Sequence, residues 1–110
     1  MKLDQIGKFV TLDWDNIDLQ VALIRFSEIA KSDNTIRTIL SLSPRKGYHV
    51  RIWLRFAVRL VIYRLGHSDD PRRLYHDLVN RPPHIHDILW IRKTTKLRVD
   101  KERMLIDHTN

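Results

Sequence analysis

At 110 residues the chain is the size of one domain, and 43% hydrophobic with 30% charged side chains is the balance of an ordinary globular fold, which excludes a disordered or low-complexity chain. Cysteine is absent, which excludes disulfides, thiol catalysis and cysteine-bound zinc and is compatible with the intracellular, cytoplasmic location expected here. The net charge of +7 points to an anionic partner such as DNA, RNA or nucleotides, whereas no run nears the roughly 20 apolar residues of a membrane span and the opening residues are too polar for a signal peptide, so no membrane association is expected.

Met1 to Lys8 reads as a lead-in. Phe9 to Asp15 is the first predicted strand, with Leu12 and Trp14 on one face and Asp13 and Asp15 on the other, because successive strand side chains alternate. Asn16 or Asp18 is placed to cap a helix in which Leu19, Leu23, Phe26 and Ala30 recur at helical spacing as far as Lys31. After the polar break at Ser32 to Asn34, residues Thr35 to Leu42 alternate as a second strand. Pro44 and Gly47 mark a short connection into a third strand, where Tyr48, Val50, Ile52 and Leu54 alternate with His49, Arg51, Trp53 and Arg55.

The spacing then predicts a helix over Phe56 to Leu65, ended by Gly66, and a second short helix opened by Asp69, Asp70 and Pro71 with Leu74, Leu78 and Val79 as its apolar stripe. Arg81, Pro82 and Pro83 stop that helix, and His86 to Arg92 reads as a fourth strand. Residues 1–92 thus form a single domain. Residues 93–110 form a mixed C-terminal extension, with a strand near Leu97 to Val99, a helical turn after Asp100 or partial disorder as the open alternatives. No internal repeat, heptad or glycine-rich phosphate loop is present.

The order strand, helix, strand, strand, helices, strand predicts an α+β fold of the split βαβ kind, ferredoxin-like or RNA-recognition-like, with an antiparallel sheet and its helices on one face. In that topology the first and third strands are neighbours at the centre of the sheet. Asp13, Asp15, His49, Arg51, Trp53 and Arg55 would then line the uncovered face. Two carboxylates, a histidine and arginines on one surface suit a divalent cation, Mg2+ or Mn2+, bridging to phosphate. Arg51, Arg55 and Lys46 are candidates to neutralise phosphate charge, and Trp53 to stack on a base. The plainer alternative is an acid pair at a strand end that merely caps the next helix.

The run Thr11 to Asp15, an acid-x-acid pair on a hydrophobic strand, resembles the first catalytic motif of the archaeo-eukaryotic primase superfamily. Gly47, Tyr48 and His49, leading into a strand, resemble its second motif. The resemblance spans Phe9 to Arg92 and implies a minimal primase core running metal-dependent nucleotidyl transfer on DNA or RNA. It assigns Asp13 and Asp15 as catalytic metal ligands and His49 as a catalytic residue touching the triphosphate. For the third motif's acid Asp87 is the candidate, with Asp77 behind it. Gly47 departs from the family's small hydroxylated residue, and the chain lacks a priming or zinc-binding accessory domain. Two other readings stay open: a noncatalytic RNA-recognition-like nucleic-acid-binding module, and an interaction subunit or homodimer that covers the sheet face with protein.

Overall fold

The computed structural model describes residues 1–44, 47–79, 92–94 and 99–110, with the side chains of 92–94 and 99–101 excepted. Strand β1 spans Ile6–Trp14, helix α1 Leu19–Lys31, strand β2 Thr35–Leu42 and strand β3 Tyr48–Arg59. Helices α2 (Leu60–Gly66) and α3 (Pro71–Val79) follow, then strands β4 (Arg92–Thr94), β5 (Val99–Lys101) and β6 (Arg103–Thr109). The main sheet has four antiparallel strands in the order β1-β3-β2-β6, and β4 and β5 pair separately. This is the expected α+β architecture with the helices gathered on one face.

The period-2 patterns set which face is which. Val10, Leu12 and Trp14 on β1 stand opposite Ile52, Val50 and Tyr48 on β3, and Thr38 and Leu40 of β2 continue the rows of Ile52 and Val50. All of them are buried, under Ala22, Phe26, Ile29 and Ala30 of α1, Leu60 and Val61 of α2 and Leu74 of α3. Each buried aliphatic or aromatic side chain contributes about 1.5–3 kcal/mol relative to an exposed one. Helix α1 begins where Asp18 Oδ1 accepts the Val21 N–H at 2.9 Å, a side-chain cap that satisfies an otherwise orphaned amide.

Several boundaries differ from the periodicity. β3 runs four residues past Arg55, and β1 starts at Ile6 instead of Phe9, because Gly7 pairs with Val58 and Ile6 with Arg59. Local helical spacing in Phe56 to Arg59 yields there to a ladder formed with a strand far away in sequence. The stripe of α1 is also rotated: Leu19 and Leu23 are exposed, and Ala22 and Ile29 are buried in their place. That helix is apolar around much of its circumference, so spacing alone leaves its phase open.

The largest difference lies at the C-terminus. The expected fourth strand, His86 to Arg92, lies outside the described residues apart from Arg92. The fourth strand of the sheet is β6, which pairs with β2 through Arg37 and Thr109, Ile39 and Asp107, Leu40 and Ile106. Residues after Asp100 are therefore strand where a helical turn was one expectation. β1 and β3 are neighbours as predicted, but the sheet grows on the β2 side and leaves β1 at an edge. Among the described residues no helix is long and apolar enough to cross a membrane.

Ile52 is fully buried at the crossing of three strands, whereas Phe56 on the same strand is 71% exposed. Ile52→Ala is expected to cost about 2–5 kcal/mol of stability and Phe56→Ser to fall within about 0.5 kcal/mol of wild type. Urea denaturation of both variants checks this placement.

Candidate functional site

On the face away from the helices, three rows of side chains run across the sheet. Phe9, Trp53, Arg37 and Thr109 form one, Thr11, Arg51, Ile39 and Asp107 the next, and Asp13, His49, Ser41 and Met104 the third. Asp13 and His49, far apart in sequence, are thus direct cross-strand neighbours. His49 Nε2 lies 3.8 Å from Asp13 Oδ1, too far for a hydrogen bond.

The outer edge of β1 is closed by the connection between α2 and α3. Asp13 N–H donates to Asp69 Oδ1 at 2.8 Å, and Asp70 N–H donates to the Asp13 carbonyl at 2.9 Å. Asp69 is itself buried and paired with Arg64 at 2.6 Å and with Arg73 at 3.0 Å. Arg73 also donates to the Thr11 carbonyl at 3.0 Å and to the Thr11 hydroxyl. This clamp brings Asp70 to the acid pair: Asp13, Asp15 and Asp70 each place a carboxylate oxygen within 4.8 Å of the other two.

Gly47 has a steric reason. A side chain there would collide with Asp15 Oδ1 and sit 2.9 Å from the Trp14 carbonyl oxygen. Only glycine lets the start of β3 approach the end of β1 so closely. Just beyond, Asn16 adopts a left-handed φ of 57° and turns the chain toward α1, a conformation asparagine tolerates.

Asp13 bears the electrostatic consequence. Its carboxyl is pushed up to about 7, first by burial and then by Asp15, with Asp69 and Asp70 adding to the shift and Arg73 opposing it. Oδ1 is buried and, among the described residues, accepts no hydrogen bond. On the other side of the imidazole, His49 Nδ1 meets Glu102 Oε2 at 2.9 Å. Arg51 grips the same carboxylate with Nη2 on Oε2 at 3.1 Å and Nη1 on Oε1. Burial lowers the His49 pKa despite Glu102. Burial alone would raise the Glu102 pKa, but the Arg51 and His49 hydrogen bonds outweigh it and hold the carboxyl below its usual range. A neutral imidazole donating from Nδ1 to an ionised Glu102 turns an unprotonated Nε2 toward Asp13.

The predicted residues therefore divide. Asp13, Asp15 and His49 come together as expected, and Arg51 adjoins them through Glu102. Trp53 lies on the same face but one end away: its ring packs against Phe9 with centroids 5.1 Å apart, and the Arg37 guanidinium, paired with Asp107 at 2.6 Å, covers it at 5.2 Å. Arg55 is exposed and donates to the Asp33 carbonyl at 3.1 Å, about 20 Å along β3 from His49 at strand rise. Asp77 is buried in α3 against Arg64 at 2.9 Å, away from the sheet face. Lys46 and Asp87 lie outside the described residues. Asp70 and Glu102 were not foreseen. Asp70 carried the signature of a helix start, which it also is, and Glu102 carried no signal.

No protein-family model, curated protein or solved structure matches this chain.

Asp13 binds its proton more tightly in the folded than in the unfolded chain. As pH rises from the ordinary carboxylate range to about 7, stability falls, and above that value the loss is complete. Asp13→Asn is expected to raise the melting temperature of the cation-free protein by several degrees at pH 8 and hardly at all at pH 4. Thermal melts in chelator at both pH values check this, and equal shifts would contradict the electrostatic account.

Proposed function

We propose that the end of the open sheet face binds a divalent cation, Mg2+ or Mn2+, on Asp13, Asp15 and Asp70, and through it the phosphates of a nucleotide, in the service of nucleotidyl transfer on DNA or RNA. The carrying observation is the trio of carboxylates beside a buried, unbonded Asp13 oxygen. Burial first, and then the repulsion of the neighbouring carboxylates, make Asp13 hold its proton; a hard cation offsets both, and oxygen donors suit Mg2+ or Mn2+. The cation's contribution would be to neutralise phosphate charge and lower the pKa of an attacking hydroxyl. Asp13 and Asp15 hold the positions that the resemblance to primases assigns to metal ligands, and Asp70 supports the reading as a third acid in place of Asp87.

The remaining side chains have roles that need no cation. Arg73 and Asp69 fix the Asp13 backbone, and the Glu102 hydrogen bond orients the His49 ring so that Nε2 faces the carboxylates. Arg51 and His49 Nδ1 carry the N–H donors beside the site, and Glu102 engages them.

Mn2+ or Mg2+ is expected to raise the melting temperature of the wild type at pH 8, because a ligand that binds only the folded state stabilises it. It should do nothing for the Asp13→Asn, Asp15→Asn double variant, and nucleotide binding should follow the same pattern. A nucleotide affinity identical in Mn2+ and in chelator removes the cation from the reading.

A second reading, a noncatalytic single-strand binder, has its own observation in its favour. Phe9 supplies the second aromatic beside Trp53 on the open face, and open-sheet RNA binders use such pairs to stack bases. Stacking contributes about 1–3 kcal/mol per base. Oligonucleotide binding that is indifferent to chelator, weakens with salt and is lost in Trp53→Ala would make this the better account; titrations followed by anisotropy distinguish the two.

A further inference from the structure

We propose that Arg51 and the Nδ1 side of His49 form a seat for a phosphate oxyanion, that Glu102 is its resident occupant, and that a phosphate-bearing ligand enters by displacing the Glu102 carboxylate. The proposal rests on the reading that the ligand carries phosphate, and it does not need the cation.

Three donors converge on one carboxylate. Arg51 presents two guanidinium nitrogens, one to each oxygen, and His49 Nδ1 adds a contact of 2.9 Å to the oxygen already bonded to Nη2. A planar fork with a third N–H beside it is the donor arrangement that takes two oxygens of a phosphate as readily as those of a carboxylate. Among the described residues neither Arg51 nor His49 Nδ1 has another hydrogen-bond partner, so an anion of some kind is what the seat is built to hold. The Arg51 and Glu102 side chains are 21% and 13% exposed and that of His49 5%, so solvent reaches this largely buried seat from the Arg51 side.

Glu102 is placed to leave. It belongs to no strand: the ladder between β2 and β6 begins at Arg103, opposite Leu42, so releasing its side chain breaks no backbone pairing. Its carboxylate reaches β3 across the row in which Ser41 stands between His49 and Met104, and the small serine leaves the path clear. The seat also lies on one side of the imidazole while the three carboxylates lie on the other, with Nε2 3.8 Å from Asp13.

The test uses the full chain in chelator, so that the acid trio and any cation drop out. Inorganic tripolyphosphate and a single-stranded oligonucleotide without a terminal phosphate are titrated against wild type, Glu102→Gln, and Glu102→Gln combined with Arg51→Lys. Glu102→Gln should bind tripolyphosphate about tenfold more tightly, the scale of one charge-assisted pair made available. Arg51→Lys, which keeps the charge and loses the fork, should abolish the gain. A gain with both probes assigns the seat to any phosphodiester or polyphosphate, and a gain with tripolyphosphate alone assigns it to the phosphates of a free nucleotide. Unchanged affinity for both probes, or a lowered melting temperature with no gain, makes Glu102 a structural tie and overturns the proposal. Should Glu102→Gln fail to fold, Glu102→Asp, which withdraws the carboxylate by one methylene, is expected to show a smaller gain, and no gain there overturns the proposal equally. Loss of cation binding in the Asp13→Asn, Asp15→Asn variant leaves the result unaffected, so the two readings fail separately.

Discussion

The rest of the site depends on the Asp69 carboxylate. It accepts from Arg64 at 2.6 Å, from Arg73 at 3.0 Å and from the backbone N–H groups of Asp13 at 2.8 Å and Asp70 at 2.9 Å. These donors satisfy the lone pairs of a buried carboxylate, and removing one partner of such an ion pair costs about 3–5 kcal/mol because the other is left charged and dry. By bonding to the Asp13 amide, Asp69 also occupies the outer edge of β1 where another strand would otherwise add. It thereby protects an exposed edge and delivers Asp70 to the acid pair. Trp14, whose indole N–H reaches the His67 carbonyl at 2.8 Å, ties the same connection to the core from below.

Among the described residues, arginines of the open face and its edge are held in ion pairs. Arg37 is paired with Asp107, Arg51 with Glu102, Arg64 with Asp69 and Asp77, and Arg73 with Asp69. Among the described residues, the arginines around the acid trio are thus internally balanced, and the carboxylates of the trio are not. That inverts the simplest picture of a basic protein meeting phosphate on bare arginines. An anionic ligand here needs a cation between it and the carboxylates, the displacement of an internal anion, or the aromatic surface at the far end of the face.

How much of this was legible in the sequence follows from what periodicity encodes. Alternation in Leu12 to Asp15 and in Tyr48 to Arg55 sorted the side chains onto two faces, because one face of each strand must be apolar to meet the helices, but His49 on the face away from the helices is itself buried at 4% exposure. The adjacency of Asp13 and His49 then followed from the split βαβ order. The same reasoning ended β3 too early, since nothing in Phe56 to Arg59 announces that Ile6 and Gly7 will pair with it. It left residues 103–109 unassigned, since a short strand with a charged and mixed pattern gains its structure only from the β2 edge it joins.

By itself the sequence determined the fold class, the open and covered faces, and the meeting of Asp13, Asp15 and His49, because hydrophobic burial acts through side-chain spacing that can be read along the chain. Only the tertiary structure decided that Asp70 completes the acid group, that Glu102 holds Arg51 and His49, and that Arg55 stands apart. Those outcomes come from backbone pairing and ion pairs between residues some fifty positions apart, and charge has no periodicity that says which distant partner it will meet.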